Sequence, residues 1–386
     1  MAEQSDRRFK SMKPVVEHLS NLIRIPSPSF LPNRPIIDYA VQVLQKAHWH
    51  SREIIYQDAS GIEKINLIAA PLNQDLNDPT AELAFMCHTD TVPYSAEWPQ
   101  ALEPFVADES LHGCGACDVK GFLACLLASI TESDSSNFVD GLRLILTADE
   151  EIGCVGAAHL ITSGLIKPKR VVVGEPTSLH PARAGKGYCL AEITVFGAEA
   201  HSAHPQKGRS AIYRAARLLT AIEEYGSLLA EEQHPFFSPN FTSLNVGTIQ
   251  GGTAKNIIPG QCKFQLEWRP IPGHPPNTVP AAISSLTETL RNADPGFQYT
   301  FHILRQQASF ESAASSKLVQ SIEALTGRAA TSIPFGSEAS LLASVAEEIV
   351  VFGAGDMQTA HSSRECVPLN ELEEAVKCLR SLMNKS

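Results

Sequence analysis

The 386-residue chain lacks the features of several protein classes. Its 31 Lys and Arg residues are outnumbered by 42 Asp and Glu residues, a net charge of −11, so it has no excess of positive charge for nucleic acid or anionic lipid. Even the apolar stretch 122–130 is shorter than the ~18–20 residues of a membrane span. Residues 1–13 are polar and contain no apolar export segment, so we expect a cytoplasmic protein with neither a nucleic-acid nor a membrane partner.

A compact disulfide framework is also missing. The nine cysteines are odd in number and spread from position 87 to 378, so we expect most of them to be reduced. With 44% hydrophobic and 19% charged residues, the composition is that of a globular protein rather than a disordered one. The length favours two domains, or one large α/β domain with an insertion.

Short apolar runs alternate with segments of helical periodicity along most of the chain. The runs 83–87 and 171–173 are apolar at every position, and 142–147 is apolar apart from Arg143 and Thr147, so none has the regular polar alternation of a half-exposed strand. Such strands are typical of a sheet that helices cover on both faces. The sequence therefore predicts an α/β fold with a mainly parallel sheet covered by helices.

The pattern changes after Pro181. The segment 188–196 alternates polar and apolar residues, and the order of elements up to residue 292 is strand, helix, strand, strand, helix. Beyond Gly296 the first pattern resumes. We therefore predict a discontinuous larger domain of residues 1–181 and 295–386, with an inserted α+β (βαββα) domain at 182–294.

Histidines and carboxylates lie at the ends of the apolar runs or in glycine-containing loops. These residues are His88, Asp90, Asp118, Asp149, Glu150, Glu151, Glu175 and His361. Taken singly, each has an ordinary structural explanation, such as a packed strand-end histidine, a helix-capping aspartate or a solvated acidic loop. Ligand sites in α/β folds form beyond the carboxyl ends of strands, and neighbouring carboxylates need a compensating cation. The set suits zinc or a similar divalent ion.

These residues fall in motifs that resemble the M20 family of zinc aminoacyl-hydrolases, in particular its acetylornithine deacetylase and succinyl-diaminopimelate desuccinylase group. The matching motifs are HTDTVP at 88–93, DVKG at 118–121, TADEE at 147–151, GEPT at 174–177, AHS at 200–202 and AH at 360–361. They occur in this order over nearly the whole chain. The resemblance implies a zinc-exopeptidase-like fold whose inserted domain acts as a lid.

The resemblance also implies two divalent metal ions, zinc first, with cobalt able to substitute. One ion is expected at His88, Asp118 and Glu175, and the other at Asp118, Glu151 and His361, so that Asp118 bridges the pair.

Two further carboxylates have roles other than metal binding in the resembled family. Asp90 is expected to accept the second ring N–H of His88 and fix its tautomer. Glu150 matches the general base, which takes a proton from water and passes it to the leaving amine.

Three further residues of the inserted domain match family positions. His201 is expected to reach the active site of a partner chain and stabilise the oxyanion, which implies a homodimer formed through the inserted domain. Asn256 and Arg269 match substrate-anchoring positions, where an arginine suits a carboxylate. Loop stability or a surface ion pair explains these last two residues equally well.

The chain departs from the family pattern in the loop before Asp118. Cys114 stands where the family usually has Arg, and Val119 where it usually has Met. Cys114 and Cys117 form a CxxC pair, but no second pair completes a four-thiolate site. We therefore favour a packing role for them over a redox or metal role.

The implied reaction is hydrolysis of the amide bond of a small N-acyl amino acid. The first expectation is deacetylation of N-acetyl-L-ornithine to acetate and L-ornithine, a step of arginine biosynthesis. Desuccinylation of succinyl-diaminopimelate, deacetylation of acetylcitrulline and dipeptide hydrolysis remain open, because the sequence does not show which groups meet the substrate side chain. A binding protein without turnover is disfavoured, since every expected metal and base position is filled.

Overall fold

The computed structural model describes residues 2–134 and 136–385. The chain forms two compact units, the first of Met1–Arg183, Glu311–Thr331 and Ser337–Ser386, the second of Ala184–Phe310 and Ser332–Gly336. Within the described ranges, no helix combines the length and the apolar character that crossing a membrane requires.

The elements follow one another in three stretches. The first contains α1 (Ala2–Arg24), α2 (Arg34–Lys46), β1 (Trp49–Gln57), β2 (Glu63–Pro71), β3 (Thr80–His88), β4 (Phe105–Ala107), β5 (Ser110–His112), α3 (Lys120–Thr131), β6 (Leu142–Thr147), α4 (Val155–Thr162), β7 (Lys167–Gly174) and β8 (Ala182–Gly185). The second contains β9 (Tyr188–Phe196), β10 (Ala200–His201), α5 (Ala211–Leu229), β11 (Ser243–Gly251), β12 (Ile257–Ile258), β13 (Gln261–Arg269), α6 (Thr278–Ala293) and β14 (Gln298–Gln307). The third contains β15 (Phe310–Glu311), α7 (Lys317–Thr326), β16 (Thr331–Ile333), α8 (Ala339–Leu342), β17 (Glu348–Phe352), β18 (Cys366–Pro368) and α9 (Leu369–Met383).

The main sheet of the first unit has the order β1-β2-β6-β3-β7-β17. Strands β6, β3, β7 and β17 are parallel to one another, whereas β1 pairs with β2, and β2 with β6, in antiparallel fashion. The predicted α/β fold is confirmed, but the sheet is mixed and its parallel part is confined to these four strands. The turn between β1 and β2 is too short for a crossover, so this pair must be antiparallel.

Helix α3 explains how the sheet is covered. Its residues from Lys120 to Ile130 are all buried, and the helix packs between α1 and α9 on one side of the sheet. A helix that is apolar on all sides has to lie in the interior. Its N-terminus lies directly after Asp118, so the core fixes the place of that carboxylate.

The second unit has its own core. Its antiparallel sheet has the order β11-β13-β9-β14, and α5 packs against β9, β11 and β13. The core contains Ile193, Phe264 and Trp268 from the sheet and Ile283 from α6. The period-2 alternation that predicts these strands thus corresponds to one buried face.

The boundaries differ from the prediction at the C-terminal side of the insertion. The sequence analysis assigns residues 298–304 to the larger domain, but β14 pairs with β9 in the sheet of the second unit, from Gln298 opposite Phe196 to Gln307 opposite Tyr188. Apart from the two-residue strands β10 and β12, the order from β9 to β14 is therefore βαββαβ rather than βαββα. A strand's own residues predict that it is half-exposed, but they do not predict which sheet it joins.

Candidate metal centre

The parallel strands of the first unit bring their carboxyl ends to one edge of the sheet. His88 at the end of β3 lies opposite Thr147 at the end of β6, and β7 ends nearby at Gly174. The residues that follow these strands, including Glu150 and Glu175, therefore converge.

Asp118 lies between two imidazoles. Its Oδ1 is 3.2 Å from Nε2 of His88, and its Oδ2 is 3.0 Å from Nε2 of His361. Glu151 Oε1 also lies 3.2 Å from His361 Nε2. The ligand atoms of His88, Asp118 and Glu175 are all within 4.8 Å of one another, as are those of Asp118, Glu151 and His361. The structure thus brings together both sets of residues proposed as ligands.

The electrostatics of this cluster fit a pair of divalent cations. Burial, with the charges of Asp118 and Glu150, raises the pKa of the Glu175 carboxyl well above its usual range. In the described part of the chain, no lysine or arginine forms an ion pair with Asp118, Glu150, Glu151 or Glu175. Buried carboxylates without a cation are costly, so a group of this composition calls for positive charge from elsewhere.

The two histidines and Asp118 shift each other's pKa values. Hydrogen bonds with Asp118 and Glu151 raise the pKa of His361 to about 10. Burial by itself raises the pKa of Asp118, but the hydrogen bonds and charges of His361 and His88 outweigh it and lower that pKa. A neutral imidazole binds a metal ion through its ring nitrogen, so metal binding at His88 and His361 would compete with their protonation.

Asp90 makes different contacts from those expected. The Nδ1 atom of His88 lies 3.0 Å from the backbone oxygen of Asp90, but 3.6 Å from its carboxylate Oδ1. The carboxylate instead accepts hydrogen bonds from Ser29 Oγ (2.7 Å) and from the backbone N–H groups of Glu150 (3.1 Å) and Glu151 (3.2 Å). Asp90 thus holds the histidine through its backbone and the two glutamates through its side chain.

Glu150 is buried beside the cluster. Burial, together with the charges of Glu151, Glu338 and Asp90, raises the pKa of its carboxyl to about 8. The Cys154 thiol donates a hydrogen bond to Glu150 Oε1 over 3.3 Å. A carboxyl whose pKa lies close to neutrality is suited to exchanging protons.

Glu365 is a buried residue at the site that sequence reasoning missed. Its carboxylate accepts hydrogen bonds from the backbone N–H groups of Gly115 (3.0 Å), Cys117 (3.1 Å) and Asp118 (3.1 Å). It thereby fixes the loop that presents Asp118. Its position four residues after His361 is the only sequence signal, and that signal does not predict this contact.

Glu338 was also missed. It is buried and accepts a hydrogen bond of 2.5 Å from Thr147 Oγ1, and burial raises the pKa of its carboxyl to about 7.

The Cys114 and Cys117 thiols are free and buried. Burial raises the pKa of Cys114 to about 11 and that of Cys117 well above its usual value, so both thiols are neutral. Cys117 Sγ lies 3.6 Å from Glu365 Oε1, inside the same loop. These contacts agree with a packing role.

The other predicted site residues belong to the second unit. His201 is exposed on β10, where its Nδ1 accepts a hydrogen bond from the backbone N–H of Ala203 over 3.1 Å. The backbone oxygen of Asn256 accepts from Ser202 N–H over 2.9 Å, so the loops of His201 and Asn256 adjoin. Arg269 is the last residue of β13. Its Nε donates to Glu267 Oε1 over 2.9 Å, and its guanidinium lies 4.6 Å from the centre of the Tyr188 ring.

Comparison with known proteins decides the family. Residues 84–385 match the family described as peptidase family M20/M25/M40. The chain belongs to this family. An acetylornithine deacetylase of Myxococcus xanthus is 41% identical over 361 residues, 93% of each chain. Another acetylornithine deacetylase, from Photorhabdus laumondii subsp. laumondii, is 30% identical over 301 residues, 77% of this chain and 78% of that one. The resemblance on which the sequence analysis depends is confirmed.

Solved structures of the M20 fold agree with the architecture. Aminopeptidase PepT of Bacillus cereus superposes with a TM-score of 0.75 at 19% identity, covering 96% of this chain and 98% of its own. The YXEP protein of Bacillus subtilis, described as a dinuclear metal-binding peptidase of the M20 family, gives 0.69 at 15% identity over 97% of both chains. This chain therefore has the fold of these two solved structures.

Proposed function

We propose that the protein is an acetylornithine deacetylase that hydrolyses N-acetyl-L-ornithine to acetate and L-ornithine with two zinc ions. Membership of a peptidase family makes the chain an amide-bond hydrolase, and the curated relatives at 41% and 30% identity carry this activity in their names. The observation that carries the proposal is the placement of Asp118 between two imidazoles, with Glu150 buried beside them. We further propose that it acts in the cytoplasm, in arginine biosynthesis.

Five side chains would hold the metals. We assign one ion to His88, Asp118 and Glu175 and the other to Asp118, Glu151 and His361, on the basis of their ligand-atom separations. When bound, two such ions supply positive charge that polarises the amide carbonyl and makes water more acidic. Zinc is the first choice because the donors are nitrogen and oxygen, and cobalt accepts the same set.

Glu150 performs the proton transfers in this mechanism. Its carboxylate takes a proton from the attacking water and delivers it to the nitrogen of the leaving amine, so that the C–N bond breaks with release of a neutral amine and acetic acid. The acid then loses its proton to the amine or to solvent, which leaves acetate. The bonds from the backbone N–H groups of Glu150 and Glu151 to Asp90 hold both residues on a fixed backbone. One glutamate can then transfer protons while its neighbour binds metal.

His201 is assigned to the oxyanion of a partner chain's active site in a homodimer. The second unit offers a surface for this association, because β11 is an edge strand of its sheet with Ile249 exposed. Ile212 and Tyr213 on α5 are also exposed, and Ile212 lies against Gly251 at the end of β11. An apolar surface beside an open strand edge is suited to pairing with a second copy. Asn256 and Arg269 are assigned to substrate binding.

Mixing two inactive variants tests whether His201 acts across a dimer. Chains with His201→Ala and chains with Glu150→Ala are each expected to be inactive. After exchange at equal concentration, half of the dimers are mixed and have one intact site in two, so about 25% of the wild-type activity should return. No recovery in mixed dimers, whose formation is checked with two different affinity tags, would contradict the assignment.

A substrate panel tests the reaction itself. The zinc-loaded protein is assayed with N-acetylornithine, N-acetylcitrulline, succinyl-diaminopimelate, N-formyl amino acids and dipeptides, before and after chelation. We expect the highest kcat/KM for N-acetylornithine and recovery of activity with zinc or cobalt. Higher kcat/KM for a succinyl substrate, acetylcitrulline or a dipeptide would replace the proposed substrate, whereas no hydrolysis of any amide would refute the reaction.

A further inference from the structure

We propose that a cavity beside His361 receives the substrate's side chain and selects one that ends in a cation, with Glu97 as its counter-charge. The cavity has a volume of about 320 Å³ and lies within the first unit. Its lining includes Tyr94, Glu97, Trp98 and Cys114. The inference rests on the proposed deacetylation and adds to it the residues that choose the amino acid.

Apart from His361, the charged residues that line the cavity are all acidic. Glu97 and Glu365 contribute carboxylates, and none of the described residues that line the cavity is a lysine or arginine. Cys114 adds no charge, because burial raises the pKa of its thiol to about 11. In the described ranges, the exposed Glu97 forms no ion pair and is available to a ligand. An ammonium group beside Glu97 gains from the charge of its carboxylate, whereas an acidic side chain there is repelled.

Two aromatic residues add to the preference for a cation. Tyr94 and Trp98 are half-buried and line the same cavity. Aromatic faces attract ammonium groups, tryptophan more strongly than tyrosine. They also pack against the methylene groups that carry such an ammonium. A short aliphatic chain with a terminal ammonium therefore fits this lining better than a neutral or an acidic side chain.

The loop that carries Glu97 is held in place. Ser95 accepts two hydrogen bonds of 3.0 Å, from Glu97 N–H to its Oγ and from Trp98 N–H to its backbone oxygen. The loop is also hydrogen-bonded to the loop that presents Asp118, because Cys114 N–H donates to the backbone oxygen of Ala101 over 2.8 Å. Recognition groups on a fixed backbone lose less entropy when a ligand binds.

The position of the cavity fits the proposed reaction. His361 lines it and is also assigned to one of the two metals. A substrate whose amide lies at the metal centre can therefore extend its side chain along His361 toward Glu97. The side chain of ornithine, three methylene groups and an ammonium, has this shape.

A pair of isosteric substrates tests the inference. N-acetyl-L-norleucine replaces the ammonium of N-acetyl-L-ornithine by a methyl group. We expect Glu97→Gln to lower the ratio of kcat/KM for acetylornithine to that for acetylnorleucine by about three- to fivefold, mainly through a higher KM for acetylornithine. A factor of this size corresponds to the free energy of an exposed ion pair. Glu97→Lys should lower the ratio further. Glu103→Gln, an exposed glutamate of the same loop outside the cavity, should leave the ratio unchanged. An unchanged ratio in Glu97→Gln would overturn the inference.

Binding measurements separate this inference from the proposed reaction. Calorimetric titration of the zinc-loaded Glu150→Ala variant with the two substrates gives the ratio of their dissociation constants without turnover. We expect tighter binding of acetylornithine, and a preference that falls about three- to fivefold when Glu97→Gln is added. Equal affinities for both compounds, or a preference that does not depend on Glu97, would overturn the inference. Hydrolysis of neither compound by the wild type, with the binding preference intact, would instead refute only the proposed reaction.

Discussion

Replacing Glu365 by glutamine should weaken metal binding although Glu365 is assigned to neither metal. Its Oε1 accepts the N–H groups of Cys117 and Asp118, and its Oε2 accepts that of Gly115. The oxygen of a glutamine side chain can replace Oε1. The NH₂ group of that side chain then faces the Gly115 N–H, so this buried donor has no acceptor. Such a loss costs about 1–3 kcal/mol. If about 2 kcal/mol of this free-energy cost destabilises the loop conformation that presents Asp118, the affinity for the metal drops about 30-fold.

The assay for Glu365→Gln combines urea unfolding of the metal-free protein with calorimetric zinc titration. Glu348→Gln is a matched control, because the Glu348 carboxylate accepts from Leu318 N–H (2.9 Å) and Ser316 Oγ (2.7 Å) at the start of α7. Glu365→Gln should unfold at lower urea concentration and bind zinc more weakly. Glu348→Gln, whose amide oxygen can accept both bonds that Glu348 Oε2 accepts, should keep the wild-type zinc affinity. Wild-type zinc affinity in Glu365→Gln, or an equal loss in both variants, would refute the reasoning.

Three further predictions concern the surroundings of the site. Lys64→Met should destabilise the fold by about 3–5 kcal/mol, because Asp149, buried and 2.8 Å from Lys64 Nζ, loses its cation; an unchanged urea midpoint would contradict this. Gly353→Ala should weaken zinc binding in calorimetry, since a Cβ there lies 2.5 Å from the backbone oxygen of Glu175; unchanged affinity argues against that constraint. Chelation should lower Tm, since zinc at 100 times its Kd stabilises the folded protein by about 2.7 kcal/mol. A Tm that changes with neither chelator nor zinc would contradict this prediction.

Much of the larger unit could be predicted from the sequence because its parallel strands are largely buried. Strands β6 and β17 begin and end where the apolar runs 142–147 and 348–352 do. The antiparallel pairing of β2 with β6 was not predicted, since a buried strand is apolar whichever way its neighbour runs. The pairing of β14 with β9 was missed because pairing depends on a distant segment.

The convergence of the site residues could be predicted because ligands beyond parallel strands share one edge of the sheet. His88, Glu151 and Glu175 follow β3, β6 and β7, and the motif order added Asp118 and His361. Their roles stay predictions.

The details of hydrogen bonding were beyond the sequence. Glu365 contacts Asp118 although the two residues are 247 positions apart along the chain. His88 Nδ1 lies 3.0 Å from the backbone oxygen of Asp90 and 3.6 Å from its carboxylate, so the two possible acceptors differ by less than 1 Å in distance. Such choices depend on the folded backbone rather than on residue type.

The central claim is that Asp118 joins two metal sites, and metal content after equilibrium dialysis against zinc tests it most directly. We expect two zinc ions per wild-type chain and loss of both high-affinity sites in Asp118→Ala, since each site loses a ligand. A wild-type chain that binds one ion or none, or an Asp118→Ala variant that still binds two with unchanged affinity, would contradict it.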